Sequence, residues 1–239
     1  MLPRPANYSS KYRRRNPLRN LNFNLALLQL FYLTISPRRF YRQLYYHKQT
    51  TNKWSRSDPT ISIIVAGFLF ISALGWSLSF KLGFSGWLKL GIKMLLIDYL
   101  AVAVLFSTLF WLLANKVLVH SPYSQSSIPS ARVEWAYAFD VHTNGYFPII
   151  LLLYLLQLFL WPLLTRQEWI CTFIGNTIYL VSFLHYIHIT YLGYAALPFV
   201  IKSELLLTSA PLILIVYLVT LIGFNVPKAT LEWYFNTSI

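Results

Sequence analysis

Five apolar runs, each long enough to cross a hydrocarbon layer, follow a polar N-terminal fifth of the chain. A membrane-crossing helix needs about 20 residues at ~1.5 Å each. The runs predict spans at about 60–80, 94–114, 146–164, 169–190 and 205–224. The first carries no charge, and the second contains Asp98. The third has Pro148 in what reads as its first turn and Pro162 near its end, where proline is best tolerated. The uncharged run that starts at Trp169 continues to Leu197, longer than one crossing requires, and Pro211 predicts a kink in the fifth. Ahead of them, "LNFNLALLQLFYLTISP" repeats Leu21, Leu25, Leu28 and Tyr32 at helical spacing and stops at Pro37. It is too short to cross and suits an interfacial helix over about 21–36, or a helix packed on the bundle. The expected fold is thus an all-α membrane protein. It is a polytopic bundle of five transmembrane helices (residues 58–239) preceded by a basic cytosolic region, residues 1–57, that contains an amphipathic segment.

Composition agrees with a multispanning protein: 56% of residues are apolar, 11% are charged, and the mean hydropathy is +0.52. The single cysteine, Cys171, excludes an intramolecular disulfide and a cysteine-based metal site. The first twenty residues have no apolar stretch of the kind a signal peptide carries, so a retained N-terminus is expected. Charge adds orientation. Twelve of the twenty Lys and Arg fall in residues 1–57, which hold no Asp or Glu. The positive-inside rule therefore predicts a cytosolic N-terminus, with loops 115–145 and 198–204 on the same side and the C-terminus on the other. The run "KYRRRNPLRN" reads as a solvated tail or as a segment attracted to anionic lipid. No nucleic-acid-binding fold accompanies the charge, so nucleic acid is not an expected partner.

Candidate chemistry is concentrated in "VEWAYAFDVHTNG", residues 133–145, where Glu134, Asp140 and His142 cluster in a chain of only seven acids. An aromatic membrane-interface belt with a helix cap explains Trp135, Tyr137, Phe139 and Asp140 or Asn144, but leaves Glu134 and His142 without a role. Asp140 and His142, with His185 and His188 on the fourth span, are ligand types that a metal accepts. Asn176 and His185 lie nine positions apart, which points them to opposite faces of a straight helix. No nucleophile elbow, paired metal motif or phosphate-binding glycine loop is present. No metal, cofactor or enzymatic activity is therefore expected, with a metal- or lipid-dependent membrane enzyme as the alternative. Asp98 is the one acid inside a predicted span and has an ion pair with Lys93 or an interhelical hydrogen bond as its plain explanation. A further alternative is an intramembrane cargo chaperone using Gly175, Asn176 and Gly193.

The segments "SPRRFYRQLYYHKQTTNKWSRSDP" (36–59), "VEWAYAFDVHTNGYFP" (133–148), "GNTIYL" (175–180) and "YLGYAALPF" (191–199) resemble, in that order, the UNC-50 family of small Golgi membrane proteins in its fungal form. The resemblance runs from about Leu21 to the end. It implies five spans and multi-pass residence in the Golgi membrane, with the endoplasmic reticulum as a second location. It places the N-terminus in the cytosol and the C-terminus in the lumen. It also implies a role in vesicular transport: recruitment of a large Sec7-type Arf exchange factor and sorting of membrane cargo such as receptors. His185 and His188 depart from the aromatic residues that the family can carry there. On this reading Arg38, Arg39 and Arg42 form one partner-binding cytosolic surface with Glu134, Trp135, Asp140 and His142. The basic residues pair with the acids or with a partner, and Asp98, Asn176, His185 and His188 are the intramembrane polar positions.

Overall fold

The computed structural model describes residues 21–43, 54–56, 58–119 and 132–236. The "KYRRRNPLRN" run, residues 44–53 and 57 of the Arg/Tyr segment and residues 120–131 of the loop expected over 115–145 lie outside them. Helix α1 (Phe23–Ile35) starts where the Asn22 side chain accepts the Leu25 N–H, a standard N-cap. A short helical segment, residues 37–43, follows. Five long helices then form the bundle: α2 (Thr60–Ser79), α3 (Gly83–Leu118), α4 (Trp135–Leu164), α5 (Trp169–Ala195) and α6 (Ser203–Thr220). Each is long and apolar enough to cross a membrane. A last helix, α7 (Val226–Phe235), is capped by Asn225, whose side chain accepts the Lys228 N–H, with Pro227 in its first turn.

Two helices reach further than their apolar runs suggest. Gly83–Lys93, expected as a loop, is the first part of α3. It packs against α2, with Gly91 so close to the Phe70 ring that a Cβ there would lie 2.7 Å from it. Residues 135–145, also expected as a loop, are the first turns of α4, so Pro148 sits mid-helix and not in a first turn. The turns after it widen over Ile150–Leu156, and α3 widens in the same manner over Met94–Ala101. A proline cannot donate its i→i−4 hydrogen bond, and a wider turn is one way a helix absorbs that loss.

Consecutive bundle helices run antiparallel, so the molecule has two ends. At the N-terminal end, the Leu118 carbonyl accepts the Ile201 N–H, and Val119 pairs with Val200, tying the exits of α3 and α5 together. At the opposite end, Phe80 stacks on Trp161 and Phe235, and the Asn225 amide donates to the Leu164 carbonyl. Helix α7 thus folds back under the bundle. The sides are apolar and exposed, as lipid contact demands: Phe159 is 76% exposed and Leu105 65%. Helix α1 buries Ala26, Leu30 and Leu33 against the bundle while Phe31 and Ile35 stand open. Its outer face is thus apolar as well, which suits a helix set into the lipid beside α2 and α4.

Candidate functional site

At the N-terminal end, residues 54–56 close over the first turns of α4. Ser55 Oγ donates to Glu134 Oε2 at 2.9 Å, and the Arg56 backbone N–H donates to Asp140 Oδ2 at 2.7 Å. The Arg56 guanidinium donates to the Asn144 side-chain oxygen and lies 5.9 Å from the centre of the Phe40 ring. Asn144 in turn donates to the Tyr41 hydroxyl at 3.3 Å. Burial pushes the Tyr41 phenol well above its ordinary pKa, so it stays protonated at neutral pH. Trp54 meets Tyr137 and Phe199 edge-on, and the Tyr137 hydroxyl donates to the Gly193 carbonyl at 2.6 Å. The spacing 134, 137, 141, 144 explains the arrangement, since residues three and four apart share one helix face. That face of α4 receives residues 54–56 near its start and Gly193 of α5 beside Val141.

The acids of the 133–145 stretch are therefore engaged within the chain. Their partners are Ser55 and Arg56, two residues that the sequence did not single out. Among the described residues no ion pair joins Arg38, Arg39 or Arg42 to Glu134 or Asp140. All three arginines are exposed, Trp135 is 39% exposed with its indole N–H on Thr108 Oγ1, and Glu134 is exposed beside it.

His142 is placed differently, buried at 2% exposure in the bundle. Its ring stacks with Phe106 and Tyr146, and Nδ1 is 2.9 Å from the Tyr186 hydroxyl. His185 and His188 lie one turn apart on α5, and His188 faces Tyr191. Among the described residues no three His, Cys, Asp or Glu side chains converge as metal ligands would, so Asp140, His142, His185 and His188 do not form a common centre.

The remaining intramembrane polar positions hold helices together. Asp98 Oδ2 accepts from the Tyr154 hydroxyl at 3.1 Å and from the Tyr234 hydroxyl at 2.6 Å. Lys93 does not reach it. Its Nζ sits 3.7 Å above the centre of the Tyr234 ring and donates to the Tyr234 carbonyl at 3.4 Å. One phenol thus joins cation and carboxyl, the ring face to Lys93 and the hydroxyl to Asp98. Burial, and then the Asp98 hydrogen bond, push the Tyr234 phenol far above its ordinary value. Asn176 uses both ends of its amide: Nδ2 donates to Thr220 Oγ1 and to the Phe224 carbonyl, and Oδ1 accepts the Val226 N–H. It joins the exit of α6 to the start of α7. Gly175 admits Pro227 at a distance that leaves no room for a Cβ.

Comparison with known proteins agrees with this architecture. The sequence model of the UNC-50 family matches residues 11–235. The chain is 37% identical over 221 residues to the Protein GMH1 homolog of Schizosaccharomyces pombe, covering 92% of this chain and 94% of that one. It is 37% identical over 227 residues to the human Protein unc-50 homolog, covering 94% and 86%. To the Dictyostelium discoideum Protein unc-50 homolog it is 32% identical over 241 residues, covering 97% and 92%. No solved structure matches the chain. A match across nearly the whole length, on a bundle of five potential spans, makes this chain a member of the UNC-50 family.

Proposed function

We propose that this membrane protein is a non-catalytic Golgi adaptor in vesicular transport, one that recruits or positions a large Sec7-type Arf exchange factor and supports the sorting of membrane cargo. The observation that carries the reading is the N-terminal end of the bundle. There residues 54–56 are fastened to Glu134 and Asp140, while Arg38, Arg39 and Arg42 remain exposed and without an acidic partner among the described residues. An intramolecular clasp that engages Asp140 and one carboxylate oxygen of Glu134 leaves a basic face free for an acidic protein surface or for anionic headgroups, and such complementarity governs encounter rate and specificity. Glu134 and Trp135, exposed at the rim of the clasp, extend the face with one acid and one aromatic anchor.

The test has two parts. In sealed Golgi vesicles, an Arg42→Cys chain should react with a membrane-impermeant maleimide without permeabilisation, since the face has to meet cytosolic proteins. Reaction only after permeabilisation would end the adaptor reading. On proteoliposomes of neutral lipid, a purified exchange factor should bind the native chain and lose at least tenfold in affinity on Arg38→Glu, Arg39→Glu, Arg42→Glu. Equal binding by the two chains would remove those arginines from the contact.

A further inference from the structure

At the N-terminal end of the bundle, two exposed apolar rows meet basic side chains at the same place. On α3, Leu105, Leu109 and Leu112 stand exposed, and so does Lys116 one turn further on. Positions three and four apart share a helix face, so this row of hydrocarbon ends on an ammonium. At the start of α6, Lys202, Leu205 and Thr208 recur every third residue along 3₁₀ turns, and all three are exposed. This row begins on an ammonium and runs on into exposed Leu212 and Val216. The backbone brings the two lysines to one edge, since the Leu118 carbonyl accepts the Ile201 N–H at 3.1 Å and the Lys202 N–H at 3.4 Å. A third cation joins them. Arg132, also exposed, precedes Val133, whose N–H donates to Asn115 Oδ1 at 2.9 Å and whose carbonyl accepts from Asn115 Nδ2 at 3.1 Å.

Little negative charge answers the three. Among the described residues none of them forms an ion pair. Residues 119–131, which join Leu118 to Arg132, contain no Asp or Glu. Glu204 is exposed but lies off the row of Lys202, Leu205 and Thr208, and Glu134 accepts from Ser55. The exposed neighbours of the cations are Leu112, Val117, Ile201 and Leu205. That mixture selects the occupant. A long basic side chain beside hydrocarbon lays its stem along the apolar layer and lifts its charge to the headgroups. An anionic phospholipid offers negative charge and hydrocarbon in one molecule, whereas an acidic protein surface would leave the leucines unmatched. We infer that the junction of α3 with the turn between α5 and α6 is a site for an anionic phospholipid of the adjoining leaflet, its headgroup held by Lys116, Arg132 and Lys202 and an acyl chain lying along Leu112, Leu109 and Leu105. The site uses none of the residues of the adaptor reading, so either can fail alone.

Local lipid composition is the quantity to measure. In the full chain carrying Cys171→Ser, a fluorophore is attached at Leu112→Cys or, as the contrast near the other end of the bundle, at Phe159→Cys. Each chain is reconstituted in mixed vesicles of phosphatidylserine and phosphatidylcholine in which one or the other lipid has brominated acyl chains, and quenching reports which lipid lies beside the label. At Leu112→Cys the serine lipid should associate about fivefold more strongly than the choline lipid, a preference that high salt removes. At Phe159→Cys the two should associate nearly equally. Adding Lys116→Gln, Arg132→Gln, Lys202→Gln should bring position 112 to the value at position 159, whereas Arg38→Gln, Arg39→Gln, Arg42→Gln should leave it high. All six exchanged side chains are exposed, so the bundle does not depend on them for packing. Equal association of the two lipids at position 112, an equal preference at position 159, or a preference that survives the first triple or is lost with the second would overturn the assignment.

Discussion

At the residue scale, a few polar groups inside an apolar bundle fix the positions of whole segments. The phenol of Tyr234 meets a carboxyl and an ammonium at once, so Tyr234→Phe keeps the ring on Lys93 and removes only the hydrogen bond to Asp98. Hydrogen bonds to a group that can carry charge are worth about 1.5–3 kcal/mol. The variant should lower the thermal midpoint in detergent by several degrees, whereas Tyr217→Phe, whose hydroxyl meets Thr177 at the edge of the bundle, should change it less. Equal losses would mean that the Asp98 contact has no special weight. At the other end, Asp140→Ala removes the acceptor of the Arg56 N–H. With the buried Cys171 replaced by serine and Ser55 by cysteine, maleimide labelling at position 55 should speed up at least severalfold on adding Asp140→Ala. An unchanged rate would show that the clasp is held elsewhere. Neither Tyr234 nor Arg56 was legible as a partner in the sequence. Tyr234 lies 136 positions from Asp98, and nothing local distinguishes it from the other sixteen tyrosines. Asp98, by contrast, was legible as unusual because an acid in a long apolar run is costly wherever it sits.

At the element scale, the sequence showed the hydrocarbon-crossing part of each helix but not its full length. Apolar runs mark where lipid or core surrounds a helix. They do not mark where the helix begins when its first turns are covered by other protein. That is why residues 135–145, polar and aromatic, read as a loop, although residues 54–56 and Gly193 bury one face of them. Helix α7 went unread for the opposite reason. It is short and only moderately apolar, yet Asn225 followed by Pro227 is a start signal that could have revealed it. Glycines set how close the crossing helices come. A Cβ at Gly145 would lie 2.7 Å from the Tyr186 ring, and that ring is tethered because its hydroxyl meets His142. Gly145→Ala should therefore destabilise the α4–α5 crossing by about 1–3 kcal/mol. Gly67, with nothing within 4 Å of its Cβ position, provides the contrast. Gly67→Ala should be neutral or stabilising by up to ~1 kcal/mol through helix propensity alone. If both shift the melting temperature alike, the crossing is looser than its geometry indicates.

At the scale of the whole molecule, the chain is a bundle with a polar fastening at each end and an exposed apolar waist. The fold class was legible throughout, because five apolar runs of sufficient length admit few alternatives. The family was legible as well, from four motifs in order, of which residues 133–148 are long enough to be specific. The pairing of the acids was not, since Glu134 and Asp140 could answer to any of the twelve cations of residues 1–57, all of them far away in the sequence. The structure places them on Ser55 and Arg56 and leaves the three arginines of residues 37–43 open. The central claim is that this open basic face, held in shape by the clasp, is what a partner meets. It is tested most directly by purifying the intact protein in mild detergent beside three variants and identifying the proteins that accompany each. The variants are the triple Arg38→Glu, Arg39→Glu, Arg42→Glu; Asp140→Ala; and Asn176→Ala, which loosens only the opposite end. The account predicts a Sec7-type exchange factor with the native chain and with Asn176→Ala, and its loss from the arginine triple and from Asp140→Ala. An exchange factor that accompanies all four chains equally, or none of them, would contradict it.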